Sequence, residues 1–160
     1  MIFGIDPAAK SLAVSVYGSG VTETYKFIAK QTDRWIQLNQ LHGQLHMAID
    51  LHQPDAIFIE EPVVAGAMNI RSTILIAETV GMVLSCSRPT YLVPVTSWKK
   101  KTVGKGNASK QEVTEWVKKE LPVYAALCKS DQDLFDAGAI GEYGRQVMET
   151  LRHDDVPDER

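Results

Sequence analysis

Four carboxylates and one cluster of lysines hold the chemistry this sequence offers. Asp6 ends an apolar run at residues 1–6, Glu60 ends another at residues 55–60, and Asp133 and Asp136 stand three apart in the last helical pattern. Residues i and i+3 share one helix face, so Asp133 and Asp136 point the same way. Sites in an open α/β sheet gather at strand ends, and adjacent strands would bring Asp6 to Glu60. Carboxylates crowded like this repel, and a hard divalent cation relieves the repulsion. Alternation along a strand leaves Glu61 facing away from Glu60. Asp136 is the acid whose helix turn could carry it outward.

Residues 94–119 contain seven lysines (99, 100, 101, 105, 110, 118 and 119) against Glu112 and Glu115. That local balance of +5 leaves −8 on the rest of a chain whose net charge is −3. Lys99, Lys100, Lys105 and Lys110 flank Gly104 and Gly106, and this flexible basic loop suits DNA phosphates rather than base edges. His42 and His46 have the i, i+4 spacing of a zinc pair, but the Glu of His-Glu-x-x-His and an evident third ligand are missing, which favours a solvated or packed face. Trp35, Trp98 and Trp116 could stack on bases, with core or interface packing expected for at least two. Cys86 and Cys128 lack CxxC spacing and read as buried free thiols.

The elements that must position these groups follow from periodicity. Three strands are expected at residues 1–6, 12–17 and 21–28, then a long amphipathic helix from the N-cap Asp33 to Gln53-Pro54. The strand at 55–60 is followed by a loop at 62–69, a helix at 72–85 and a fifth strand at 90–95. Thr96-Ser97 would cap a short helix, and Ser109 with Glu112 has capping-box spacing for the next. A last helix opens at residues 130–133. Alternation of strand and helix implies a mixed sheet with parallel crossovers.

The 160 residues fit one domain, expected over 1–152 with a short acidic tail at 153–160. An apolar share of 44% supports a sizeable core and excludes disorder. No stretch reaches the ~20 apolar residues of a membrane span, and residues 1–5 lack a secretory signal's basic start, so a cytoplasmic protein is expected.

Phe3-Gly4-Ile5-Asp6-Pro7, Ile59-Glu60-Glu61-Pro62, the run 98–110 with its Val-Gly-x-Gly-x-Ala-x-Lys element, and Asp133-Leu134-Phe135-Asp136-Ala137 occur in one order. In this the chain resembles the RuvC-type Holliday-junction resolvases, from residue 1 to about 145. The resemblance implies an RNase H-like fold with a five-stranded mixed sheet flanked by helices, and a homodimer. It also implies paired incision of four-way DNA junctions, leaving 5′-phosphate and 3′-hydroxyl ends. Asp6, Glu60, Asp133 and Asp136 fall on the family's metal-binding acids, Lys99 and Lys110 on its DNA-contacting positions. Two Mg²⁺ or Mn²⁺ ions ~4 Å apart would serve an in-line displacement at phosphorus. Bacterial members carry an aromatic residue three places after the strand-four acid; here it is Val63, which fits a divergent, phage-like member with forks and other branches as further substrates.

Three other readings compete. A related RNase H-like nuclease could use the same acids on forks, flaps or RNA–DNA hybrids. An actin- or sugar-kinase-like nucleotide binder opens similarly but needs two such lobes. A non-catalytic scaffold would not need all four acids.

Overall fold

In a computed structural model, which describes residues 1–18, 21–63 and 70–154, the chain folds around one five-stranded sheet. Its strands are β1 (Ile2–Pro7), β2 (Ser11–Tyr17), β3 (Val21–Ile28), β4 (Ala56–Glu60) and β5 (Thr90–Val93), in the order β3-β2-β1-β4-β5. The first three form an antiparallel meander, while β4 and β5 join parallel to β1. The helices are α1 (Arg34–His52), α2 (Ile70–Leu84), α3 (Val95–Thr102), α4 (Lys110–Glu120), α5 (Pro122–Leu127) and α6 (Gln132–Asp154). This is the expected five-stranded mixed sheet flanked by helices.

Period-2 alternation splits the strands between two cores. Phe3, Ile5, Ile57 and Ile59 point to the face covered by α1 and α2, where they meet Leu41, Leu45, Val80 and Val83. Ile2, Ala56 and Phe58 point to the opposite face, covered by α6. The same parity that buries Ile2 and Phe58 beneath α6 puts Asp6 and Glu60 on the α6 side. The pair Ile5–Ile59 is in register across β1 and β4, so the two acids follow one step later at the strands' carboxyl ends.

The long helix α6 sits unusually close to the sheet. A Cβ on Gly4 would come within 2.2 Å of the Gly141 backbone nitrogen, so both positions have room only for glycine. Ser15 Oγ donates to the Ala137 carbonyl at 2.7 Å, and Tyr17 Oη to that of Gly138 at 2.9 Å. These buried bonds, each of net value about 1 kcal/mol, fix the height and rotation of the helix that carries Asp133 and Asp136.

Several boundaries differ from the sequence expectation. Thr96 and Ser97 do not cap α3: Pro94 occupies the N-cap, and the helix starts at Val95, directly after a shorter β5. The short α5 has Pro122 in its first turn and is too brief for a periodic signal. At α6 the side chain of Asp131 accepts from the amides of Asp133 (3.0 Å) and Leu134 (3.3 Å). Asp33 caps α1, and Ser109 with Glu112 forms a reciprocal capping box on α4, both as expected. α6 continues through Asp154; residues 155–160 of the expected tail lie outside the described residues. Among the described residues no helix is long and apolar enough to cross a membrane.

Candidate active site

The acids come within one another's electrostatic reach where β1 and β4 end beside α6. Asp6 is surrounded by carboxylates: its burial, and then the charges of Glu60, Asp136 and Asp133, push its carboxyl well above the usual range. Glu60 is also raised, first by burial; a bond from Trp98 opposes this and the charge of Asp136 adds to it. Burial likewise raises Asp136, against a pull from Gln132, Lys110 and Lys99. Three acids are held above their ordinary values by burial and one another, a repulsion that a hard cation would relieve, although among the described residues no three of their oxygens converge within 4.8 Å of one another. Asp136 therefore points inward, not outward. Glu61 is exposed, with its amide on the Val93 carbonyl, as alternation requires.

Glu60, Asp136 and Asp133 each have a bonded neighbour. The buried indole of Trp98 donates from Nε1 to Glu60 Oε2 at 2.9 Å. Gln132 Nε2 donates to Asp136 Oδ1 at 3.0 Å, while the Thr114 hydroxyl of α4 donates to the Gln132 side-chain carbonyl at 2.9 Å. Asp133 lies further toward the rim, where Lys26 of β3 bonds to it and to Asp131 at 3.2 Å. Burial pulls the Lys26 ammonium down, but its two carboxylate partners outweigh this and leave it above the usual lysine value. Sequence reasoning missed Trp98, Gln132 and Lys26 in these roles. Nothing in their spacing marks them; only the Lys26 position, alternating along β3 next to β2, would have hinted at the sheet face it shares.

Of the four predicted DNA-binding lysines, Lys99 and Lys110 act electrostatically on both Glu60 and Asp136. Lys99 Nζ also donates to the buried Ala108 carbonyl at 2.7 Å, which ties α3 to the loop before α4. Lys105 is exposed and paired with Glu112 at 2.7 Å, and Lys100 is exposed on α3. Trp98 is buried, Trp116 packs partly against the α6 core, and Trp35 is 71% exposed. Val63 is 59% exposed; Val64, Ala65, Gly66, Ala67, Met68 and Asn69, the rest of the expected loop at 62–69 beyond Pro62, lie outside the described residues. Cys86 and Cys128 are buried free thiols. His42 and His46, expected on a solvated or packed face with no evident third ligand, have a potential one nearby in Cys86, which arrives from the turn after α2.

Comparison with known proteins agrees with the fold. The fold is similar to that of Thermus thermophilus RuvC in complex with a Holliday junction substrate, with a TM-score of 0.71 at 21% identity over 91% of this chain and 95% of that one. It is also similar to the yeast mitochondrial Holliday junction resolvase, with a TM-score of 0.63 at 13% identity over 95% and 82% of the two chains. Two curated relatives, the crossover junction endodeoxyribonucleases RuvC of Chlamydia trachomatis serovars L2 and A, are each 31% identical over 105 residues, 63% of this chain. The chain spans 61% of the length of these relatives. The family model for crossover junction endodeoxyribonuclease RuvC matches residues 2–141, and this chain belongs to that family.

Proposed function

We propose that this protein is a divalent-metal-dependent endodeoxyribonuclease that cuts branched DNA, four-way junctions first, by paired strand incision that leaves 5′-phosphate and 3′-hydroxyl ends. The observation that carries the reading is that Asp6, Glu60 and Asp136, from β1, β4 and α6, feel one another's charge, with Glu60 and Asp136 also within the electrostatic reach of Lys99 and Lys110. Asp6, Glu60, Asp133 and Asp136 would hold the metal, since the set is all carboxylate and its mutual repulsion falls when a hard cation binds. Two Mg²⁺ or Mn²⁺ ions bound there supply an activated water and charge stabilisation at the scissile phosphate.

The chain's own residues do the positioning. Trp98 holds one oxygen of Glu60 in place, and Gln132, itself held by Thr114, does the same for Asp136. Lys99 and Lys110 attract the DNA backbone to the edge of an acid cluster that would otherwise repel it. Lys26 neutralises Asp133 and Asp131 at the rim.

Paired incision of a two-fold symmetric junction needs a C₂ dimer with two such sites. Trp35 and Ile36 on α1 and Ile70 and Ile74 on α2 leave an apolar outer surface suited to a second copy of this chain. Work on cellular DNA would place the protein in the cytoplasm. A second reading, action on forks and three-way branches as well, is favoured by Val63, which exposes an aliphatic side chain where a stacking ring would select an opened junction.

The test is a gel assay of labelled four-way junctions beside forks and RNA–DNA hybrids. The reading expects symmetric nicks in the junction with Mg²⁺ and none with EDTA. Preferential cleavage of hybrids would overturn it.

A further inference from the structure

On the sheet face opposite the acids, α1 and the turn after α2 bring together side chains of a different chemistry. His42 and His46 lie one turn apart on α1, with ring centroids 4.2 Å apart. Cys86 is buried beside them, and one ligand atom from each of the three residues lies within 4.8 Å of the others. Among the described residues this is the group of three potential ligands that converges so closely. No hydrogen bond among the described residues engages either imidazole, and the Cys86 thiol has only a long contact of 3.9 Å to the Met82 carbonyl. Two imidazoles and a thiol are thus left with potential ligand atoms close together and no strong hydrogen bond among the described residues.

We propose that His42, His46 and Cys86 form a site for a zinc-class divalent cation, separate from the acid site, that clips α1 to the turn between α2 and β5. The donor set is two nitrogens and a sulfur, which prefers Zn²⁺ or Co²⁺ to the hard Mg²⁺ that carboxylates select. Tetrahedral zinc at ordinary bond lengths sets ligand atoms ~3.3–3.6 Å apart, so side-chain rotations of about an ångström close the group. On binding, Cys86 releases its thiol proton to solvent and the imidazoles bind in their neutral form. His42 also lines a cavity of about 420 Å³ together with Trp35, Glu78 and Met82, from which solvent would complete the coordination. The clip joins residues 42–46 to residue 86 across β4 and α2, so the ion would stabilise the layer that backs the sheet without touching the acids.

The test is a titration of the metal-free chain with Co²⁺, then Zn²⁺, in excess Mg²⁺, read by the thiolate-to-cobalt charge-transfer absorption and by thermal unfolding. The wild-type chain and Glu60→Gln are expected to bind one equivalent with the thiolate band and to gain several degrees in midpoint with Zn²⁺. Cys86→Ser should lose the band, and His46→Gln, at a partly exposed position, should weaken Co²⁺ binding by at least about 100-fold. Absence of the band in the folded wild-type chain would overturn the proposal. So would its persistence in Cys86→Ser, which would point to Cys128, or a Zn²⁺-induced gain in midpoint that persists in Cys86→Ser and is lost in Glu60→Gln, which would return the metal to the acids.

Discussion

The indole of Trp98 donates to Glu60 at 2.9 Å, joining a fully buried ring on α3 to the carboxylate that ends β4. An indole N–H can only donate, so this bond holds Glu60 as an acceptor and leaves its second oxygen for the site. It also opposes the burial that would otherwise favour the protonated carboxyl. Phenylalanine keeps most of the apolar volume but removes the donor. Trp98→Phe should cost about 1 kcal/mol of stability and lower the cleavage rate about tenfold, with junction affinity within twofold. Denaturant melts and single-turnover kinetics check this, and an unchanged rate would remove Trp98 from the site.

The lysines make separable contributions. Lys99→Ala and Lys110→Ala should each weaken junction binding and flatten its log–log salt dependence by about 0.9 for each phosphate no longer neutralised. Lys100→Ala should have a smaller effect, because Lys100 is exposed on α3 and is absent from the charges felt by Glu60 and Asp136. Equal slopes for the wild type and the Lys99 and Lys110 variants would reduce the run to a solvated face.

Much of this arrangement was legible because it is locally encoded. The apolar runs of β1 and β4 announced strands that each carry an acid at the carboxyl end, and Asp33, Ser109 and Glu112 announced helix starts with their own side chains. Pairing of β1 with β4 then follows from the helix between them, since a parallel neighbour needs a crossover. What stayed hidden depends on contacts across long stretches of chain. Trp98 reaches Glu60 over 38 residues and Lys26 reaches Asp133 over 107. The depth of α6, which turns Asp136 inward, depends on two glycines in different elements touching. Cys86 completes the histidine pair only because α2 returns its end to the middle of α1. The start of α3 was misplaced because Pro94 ended the strand two residues before the polar pair that looked like a cap.

A pH-dependent stability should trace to the capping box of α4. The bond from Lys105, then the Ser109 amide, lowers the Glu112 carboxyl from its ordinary 4.5 to about 2. A depressed folded value means the contribution is complete above the ordinary value and is lost as pH falls from there through about 2. Glu112→Gln should therefore flatten the pH dependence of Tm between about pH 4.5 and 2, leaving the slope at neutral pH unchanged. It also frees Lys105, so DNA affinity at neutral pH should rise slightly. Thermal melts across that acid range and one binding isotherm check both.

Selectivity among branches should respond to residue 63. Val63→Phe places a ring on an exposed position next to the strand that carries Glu60, and stacking on an unpaired base is worth ~1–3 kcal/mol. Its cleavage of four-way junctions relative to forks should rise, with the rate on a saturating four-way junction unchanged. If the natural chain already rejects forks and three-way branches at matched concentrations, Val63 is not what sets selectivity.

In the proposed reaction Asp6, Glu60, Asp133 and Asp136 perform the chemistry while the lysines hold the DNA. The most direct measurement sets junction affinity beside the single-turnover cleavage rate for the wild type, Asp6→Asn, Glu60→Gln, Asp133→Asn and Asp136→Asn, each shown to be folded, in Mg²⁺. Each substitution should abolish incision while binding stays within a few fold or tightens, because removing negative charge lowers repulsion toward a polyanion. Incision at near wild-type rates in the folded Asp6 and Glu60 variants, or loss of binding in step with loss of cleavage, would contradict the account.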